Sequence, residues 1–295
     1  MKYFFTVLAI LFVEMSAIGQ SDLQSMVDAD RSLASRAVET GARSAYLEYL
    51  ADDGVIFRPD AVRGKEYWNL HPSEPAEILK RKMEFADISA SGLLGYTTGV
   101  WETEPRVPTG PPRRVGQYVT VWSKKPDGRF LAIIDILTEY DEAAAPVGNP
   151  ALATTLPRDI NKRRWSAADP SMNFLKMGMN EGGLGKAFGE FAAEDIRLII
   201  EENPPIFGKK NTVKAMKKYL SVAFPQKVSL LESSDLAYAW NPCEYANSEE
   251  GMERGNCLNI WKLRKKRWYI TLGVFARVPN VVRPKLKMSP TNRPN

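Results

Sequence analysis

The chain has 295 residues, 44% hydrophobic and 25% charged, a balance that supports a packed core and excludes a disordered or collagen-like chain. Its formal charge of +5 is spread over both halves, so no nucleic-acid partner is expected. The only histidine is His71 and the only cysteines are Cys243 and Cys257, too few for a closed zinc site of four N or S ligands. No phosphate loop, nucleophile elbow or kinase signature is present, so no metal and no cofactor are expected.

At the N-terminus, Lys2 precedes an unbroken apolar run from Tyr3 to Val13, and Ala17-Ile18-Gly19 sets small residues before Gln20. That is the pattern of a signal peptide over residues 1–19, shorter than the roughly 20 apolar residues of a membrane span. The expectation is an exported protein, periplasmic or extracellular, with no membrane span. The remainder, about 275 residues, suggests two domains at roughly 100–200 residues each.

In the first unit, residues 20–140, the apolar spacing from Leu23 to Ala51 predicts one or two helices. A short strand is predicted at 53–58. After the breakers Pro59 and Gly64, a helical patch covers Lys65 to Met83, interrupted at His71-Pro72 and Pro75. Strands follow at 85–91, 93–103, 115–124 and 129–140, the last two joined by a tight turn at Asp127-Gly128. Residues 141–169, with Pro146, Pro150 and Pro157, read as a linker. The second unit, 170–278, is predicted as a helix at 170–192, a strand at 196–201, a helix at 209–220, and strands at 227–232, 236–245, 256–264 and 267–278. The proline-rich stretch 279–295 reads as an extended tail. Residues 246–255 read as a long hairpin loop flanked by Cys243 and Cys257, which could bridge across adjacent strands.

The two units echo each other. Ala45 to Asp53 returns as Ala187 to Asp195, Gly64-Lys65 as Gly208-Lys209, and Leu94-Gly95-Tyr96 as Leu236-Ala237-Tyr238. Val121-Trp122 returns as Ile260-Trp261, and Arg129-Phe130 as Arg267-Trp268, with the order preserved. On these offsets Cys243 and Cys257 fall on Trp101 and Tyr118, an aromatic pair that would staple the same strands by packing. Helices before a sheet, Gly64-Lys65, the segments Leu94 to Gly99 and Gly116 to Trp122, and Pro126 to Arg129 before the last strand resemble the SnoaL-like and ketosteroid-isomerase-like branch of the nuclear transport factor 2-like superfamily. The second unit departs by having Lys265-Lys266 at the final turn. The resemblance implies an α+β protein of two tandem cone-shaped units, each with helices packed on a curved antiparallel sheet around an apolar pocket. That fold hosts isomerases, dehydratases, cyclases and binding modules, so it fixes no reaction.

The closing strands are apolar on both faces, with Phe130, Ala132, Ile134 and Ile136 on one face in the first unit and Trp268, Ile270, Leu272 and Val274 in the second. One face should cover the cone; the other needs a partner, either the sibling unit in an intramolecular pseudo-dimer or a second chain in a homodimer. Asp135 is the one carboxylate in these runs, and Gly273 takes its place in the second unit. A buried Asp is a general acid/base candidate or one half of a structural pair, with Arg58 or a tyrosine hydroxyl as its mate. Tyr49, Arg58, Trp68, Tyr96, Trp101, Tyr118 and Trp122 are candidates to line a small-molecule pocket. Two functions stay open: an exported protein binding a small apolar or amphipathic ligand or a partner, and an isomerase, dehydratase or hydrolase using Asp135.

Overall fold

The computed structural model describes residues 2–141, 166–180, 182–223, 228–247 and 251–278, with side chains described from Ser21 onward except those of 220–223 and 247. All but the edges of the predicted linker, and the predicted tail, lie outside the described residues, as do the side chains of the predicted signal peptide.

The first unit runs α1 (Lys2–Glu39), α2 (Ala42–Tyr49), β1 (Leu50–Phe57), β2 (Ala61–Arg63), α3 (Gly64–Leu70), β3 (Glu77–Ile88), β4 (Leu94–Pro105), β5 (Val115–Lys124) and β6 (Phe130–Tyr140). Its sheet has the order β2-β1-β6-β5-β4-β3. Along α1, Leu23, Met26, Val27 and Leu33 recur at helical spacing and are buried against Trp101, Tyr118, Trp122 and Phe130 of the sheet. The second unit runs α4 (Ala168–Gly178), α5 (Gly183–Phe191), β7 (Ala192–Ile200), β8 (Ile206–Phe207), α6 (Lys209–Met216), β9 (Tyr219–Ala223), β10 (Ser229–Ser233), β11 (Leu236–Asn247), β12 (Gly251–Arg264) and β13 (Arg267–Val278). Its order is β8-β7-β13-β12-β11-β10, with β9 also paired to β11.

The protein is therefore α+β, two tandem cone-shaped units of one topology. Each sheet carries one parallel pair, β1 with β6 and β7 with β13, within an otherwise antiparallel array. The repeat extends to individual pairings. Leu50 faces Ala132 and Val55 faces Ile134 across an irregularity, and their counterparts Ala192 and Arg197 face Ile270 and Leu272 in the same way.

Several predicted elements change. Residues 77–83, predicted helical, are strand: good helix formers there are overridden by pairing along β4 from Glu77↔Pro105 onward. The single helix predicted at 170–192 is two, parted by Gly182 and Gly183, both at positive φ. The predicted loop at 246–255 is largely strand, since Ala246 pairs with Met252 and Tyr245 with Glu253. Lys265 and Lys266 both take positive φ, the left-handed pair that a tight two-residue hairpin turn demands.

A bulge in each closing strand alters the expected faces. Val121 pairs with Ile134 and Trp122 with Ala132, skipping Ile133; Ile260 pairs with Leu272 and Trp261 with Ile270, skipping Thr271. Each bulge flips the alternation. Phe130 and Ala132 lie in the first cone and Trp268 and Ile270 in the second, whereas Ile134, Ile136, Leu272 and Val274 point between the units. There they join Tyr96, Val119, Val121, Leu258 and Ile260 in a core that packs the two sheets face to face within one chain. Lys262 is buried at this seam between Asp87 (3.2 Å) and Asp235 (3.3 Å), and Arg197 reaches Glu84 across it at 3.4 Å.

Cys243 and Cys257 form a disulfide with Cα atoms 6.1 Å apart, closing a loop of sequence separation 14. They are diagonal neighbours: Cys243 faces Gly255 and Asn241 faces Cys257, just as Trp101 faces Gly116 and Gly99 faces Tyr118. Covalent closure of a loop this short contributes about 3 kcal/mol in the chain-entropy account; the first unit fills the same place with two buried aromatic rings.

Candidate functional site

The bulge at Ile133 turns Asp135 into the first cone, where it meets no solvent. Its Oδ2 accepts from the Tyr46 hydroxyl at 2.7 Å, and its Oδ1 accepts from the Thr120 hydroxyl at 2.5 Å and Arg81 Nη1 at 3.1 Å. Arg81 Nη2 also donates to Thr120 and lies 3.6 Å from Asp30, and its guanidinium stacks 3.8 Å over the Tyr118 ring. Asp30 in turn accepts from Thr97 at 2.7 Å and Tyr118 at 2.9 Å. The side chains of Arg81 and Asp135 are 0% exposed and that of Asp30 is 2%. Burial pushes the Asp30 carboxyl above the usual range against the pull of Arg81, and pushes the Tyr46 and Tyr118 hydroxyls up as well. Burial works against the charge on Arg81, but Asp135 and Asp30 beside it hold its guanidinium protonated. Every oxygen of the two carboxylates has a donor, so this cluster has the geometry of a structural network.

Above it, separated by Tyr46 and Trp68, the cone opens into a cavity of about 780 Å³, within the usual span of small-molecule sites. Its walls include Tyr46, Arg58, Tyr67, Trp68, His71, Leu79 and Trp101. Tyr46 stacks on Trp68 at 5.4 Å, Tyr67 meets Trp68 edge-on at 5.2 Å, and His71 stacks on Tyr67 at 4.1 Å. Arg58, at the end of β1, lies about 6 Å from the Tyr46, Tyr67 and Trp68 rings and donates to its neighbour's carbonyl, Phe57 O, at 2.9 Å. Among the described residues no carboxylate lies within ion-pair distance of it. Trp68 Nε1 is buried without an acceptor. The opposite rim is more polar: Arg114 pairs with Glu77 at 3.0 Å and with Glu139 at 3.4 Å.

Of the pocket candidates, Arg58, Trp68 and Trp101 line this cavity. Tyr118 and Trp122 lie deeper, bonded to Asp30 and to Thr97. Tyr49 packs half-buried beside the core. Tyr96 lies on the other face, in the core between the units. Arg81, not Arg58, is the cation on Asp135. Sequence reasoning missed Arg81, Asp30, Tyr46 and Tyr67; the one available signal was Arg81's place between Lys80 and Lys82, which strand alternation turns inward alone.

The second cone replaces this chemistry with packing. Phe188, Cys257, Asn259 and Gly273 stand at the places of Tyr46, Tyr118, Thr120 and Asp135. The interior is filled by Phe174, Phe188, Phe191, Trp261 and Phe275, with ring centroids 5.0–6.2 Å apart. Among the described residues no cluster of three or more His, Cys, Asp or Glu could hold a metal ion.

No protein-family model matches this chain, and no curated protein does. Solved structures similar to part of it include a ketosteroid isomerase-like protein from Erwinia carotovora atroseptica, 16% identical over 41% of this chain and 97% of its own, with a TM-score of 0.33. An NTF2-like protein from Cytophaga hutchinsonii is 18% identical over 38% of this chain and 94% of its own, at 0.32. One of unknown function from Shewanella oneidensis is 17% identical over 37% and 98%, at 0.29.

The buried cluster makes a stability prediction. Asp135→Asn leaves Arg81 with a more distant carboxylate, and the fold should lose about 3–5 kcal/mol. Arg81→Met, which strands two buried carboxylates, should cost at least as much. Denaturant unfolding at pH 7 measures both, and a loss under about 1 kcal/mol for either contradicts a structural role.

Proposed function

We propose that the protein binds a small molecule with an aromatic or apolar body and an anionic group in the mouth of the first cone. The observation that carries this is Arg58: it borders a cavity of about 780 Å³ beside three aromatic rings and has no carboxylate partner among the described residues. Guanidinium charge beside ring faces suits a planar anion. Burial of Asp135 under Tyr46, with its oxygens all engaged, favours binding over proton chemistry at that residue, because a general base must reach its substrate's proton.

Export is part of the same reading. It is supported by the leader pattern at residues 1–19 and is compatible with the Cys243–Cys257 disulfide. Among the described residues no helix is long and apolar enough to cross a membrane. Mass spectrometry of the protein from its native host should find an N-terminus at or near Gln20, and retention of the leader on a cytoplasmic form would refute export.

Anilinonaphthalene sulfonate, an aromatic anion, serves as the probe of binding. Its fluorescence should saturate on the wild type at pH 6, and Arg58→Gln should weaken it about tenfold or more. Leu231→Ala, at an exposed apolar residue of the second unit, should leave it unchanged. Equal affinity in wild type and Arg58→Gln would end the proposal.

A further inference from the structure

The mouth of the first cone is not built by the first unit alone. Glu201, the residue after β7 in the second unit, lines the cavity with Arg58, Trp68 and Trp101. It also lines an adjoining cavity of about 910 Å³, which shares Phe57, Arg114 and Glu139 with the first. Reciprocal bonds hold it there: Glu139 N–H donates to Glu201 Oε1 at 2.7 Å, and Glu202 N–H donates to the Glu139 carbonyl at 2.7 Å.

Three carboxylates meet at this seam, and two have their own cations. Glu139 is 3.4 Å from Arg114, which is shared with Glu77, and Glu202 is 3.0 Å from Arg277, which also lies 3.6 Å from Glu253. Glu201 has backbone N–H groups and, among the described residues, no cation within ion-pair distance. His71 borders the first cavity and Asp141 the second. Burial, then the neighbouring Glu139 and Glu202 charges, push the Glu201 carboxyl up to about 7, although backbone N–H groups at Glu139 and Arg277 pull the other way. It therefore exchanges its proton in the physiological range.

We propose that Glu201 is a specificity-determining residue of the first-cone pocket, contributed by the second unit, which admits an anionic ligand when protonated and repels it when ionised. Binding of the anion at neutral pH then draws a proton from solvent onto Glu201, and by linkage a bound anion raises that group's proton affinity. The inference rests on the pocket reading above and adds to it a pH dependence set by the second unit.

The test is the affinity of the full chain for anilinonaphthalene sulfonate from pH 5.5 to 8.5, a range over which the sulfonate stays ionised. Wild type should weaken about fivefold to tenfold between pH 6 and 8. Glu201→Gln, which keeps an acceptor for Glu139 N–H, should bind tightly with no slope. His71→Gln should keep the slope, separating Glu201 from the histidine that borders the same cavity. Calorimetry at pH 7 in two buffers of different ionisation enthalpy should show proton uptake on binding to wild type and none to Glu201→Gln. A flat wild-type profile, or a slope that survives Glu201→Gln, overturns the assignment while Arg58-dependent binding at pH 6 stands. Loss of that Arg58 dependence at every pH would instead overturn the pocket reading and the coupling with it.

Discussion

One guanidinium organises the first cone. The side chain of Arg81 sits fully buried between Asp30 of α1 and Asp135 of β6, on the ring of Tyr118 from β5. Tyr46 of α2 and Thr97 of β4 complete the network through the two carboxylates. A single charge thus fixes two helices against four strands. Buried ion clusters often add little net stability over an apolar core, but they specify geometry, because any slip leaves a charge unpaired in a medium that penalises it heavily. The helices cannot slide along the sheet without that penalty. The depth at which Tyr46 and Trp68 floor the cavity follows from it.

The second unit shows the same backbone without that constraint. Where the first has Tyr46, Tyr118, Thr120 and Asp135, it has Phe188, Cys257, Asn259 and Gly273. A Cβ at Gly273 would meet the Leu198 side chain tightly at 3.2 Å, with Asn259 at 3.4 Å and Phe188 at 3.5 Å in ordinary contact, so a side chain there would face a wall that is already packed. Ring packing and a disulfide hold this unit, and its contribution to the proposed site is made from outside, through the residues that follow β7. The face-to-face packing of the sheets ties one cone's filled core to the other's open mouth.

Much of the architecture was legible in the residues. The repeat survives as matched pairings, down to the diagonal register shared by Cys243–Cys257 and Trp101–Tyr118, because both pairs occupy one place in a common sheet. The bulges at Ile133 and Thr271 were hidden, since strands apolar on both faces carry no alternation to betray a shift. Arg81 was hidden by its setting: Glu77 to Met83 reads as a charged helix, and only pairing with β4 turns one cation of the three inward. Glu201 could not have been placed with a first-unit pocket from sequence, because that depends on how the two sheets pack across a seam far apart in the chain.

Binding in the mouth above a buried ion cluster is the claim on which the rest depends. A crystal structure of the full chain soaked with anilinonaphthalene sulfonate tests it most directly. The sulfonate should lie within hydrogen-bond reach of Arg58, the rings against Tyr67, Trp68 and Trp101, and Asp135 should still be bonded to Arg81 and Tyr46 with no water between them. A ligand seated only in the second unit, or one that displaces Tyr46 to contact Asp135, would contradict it.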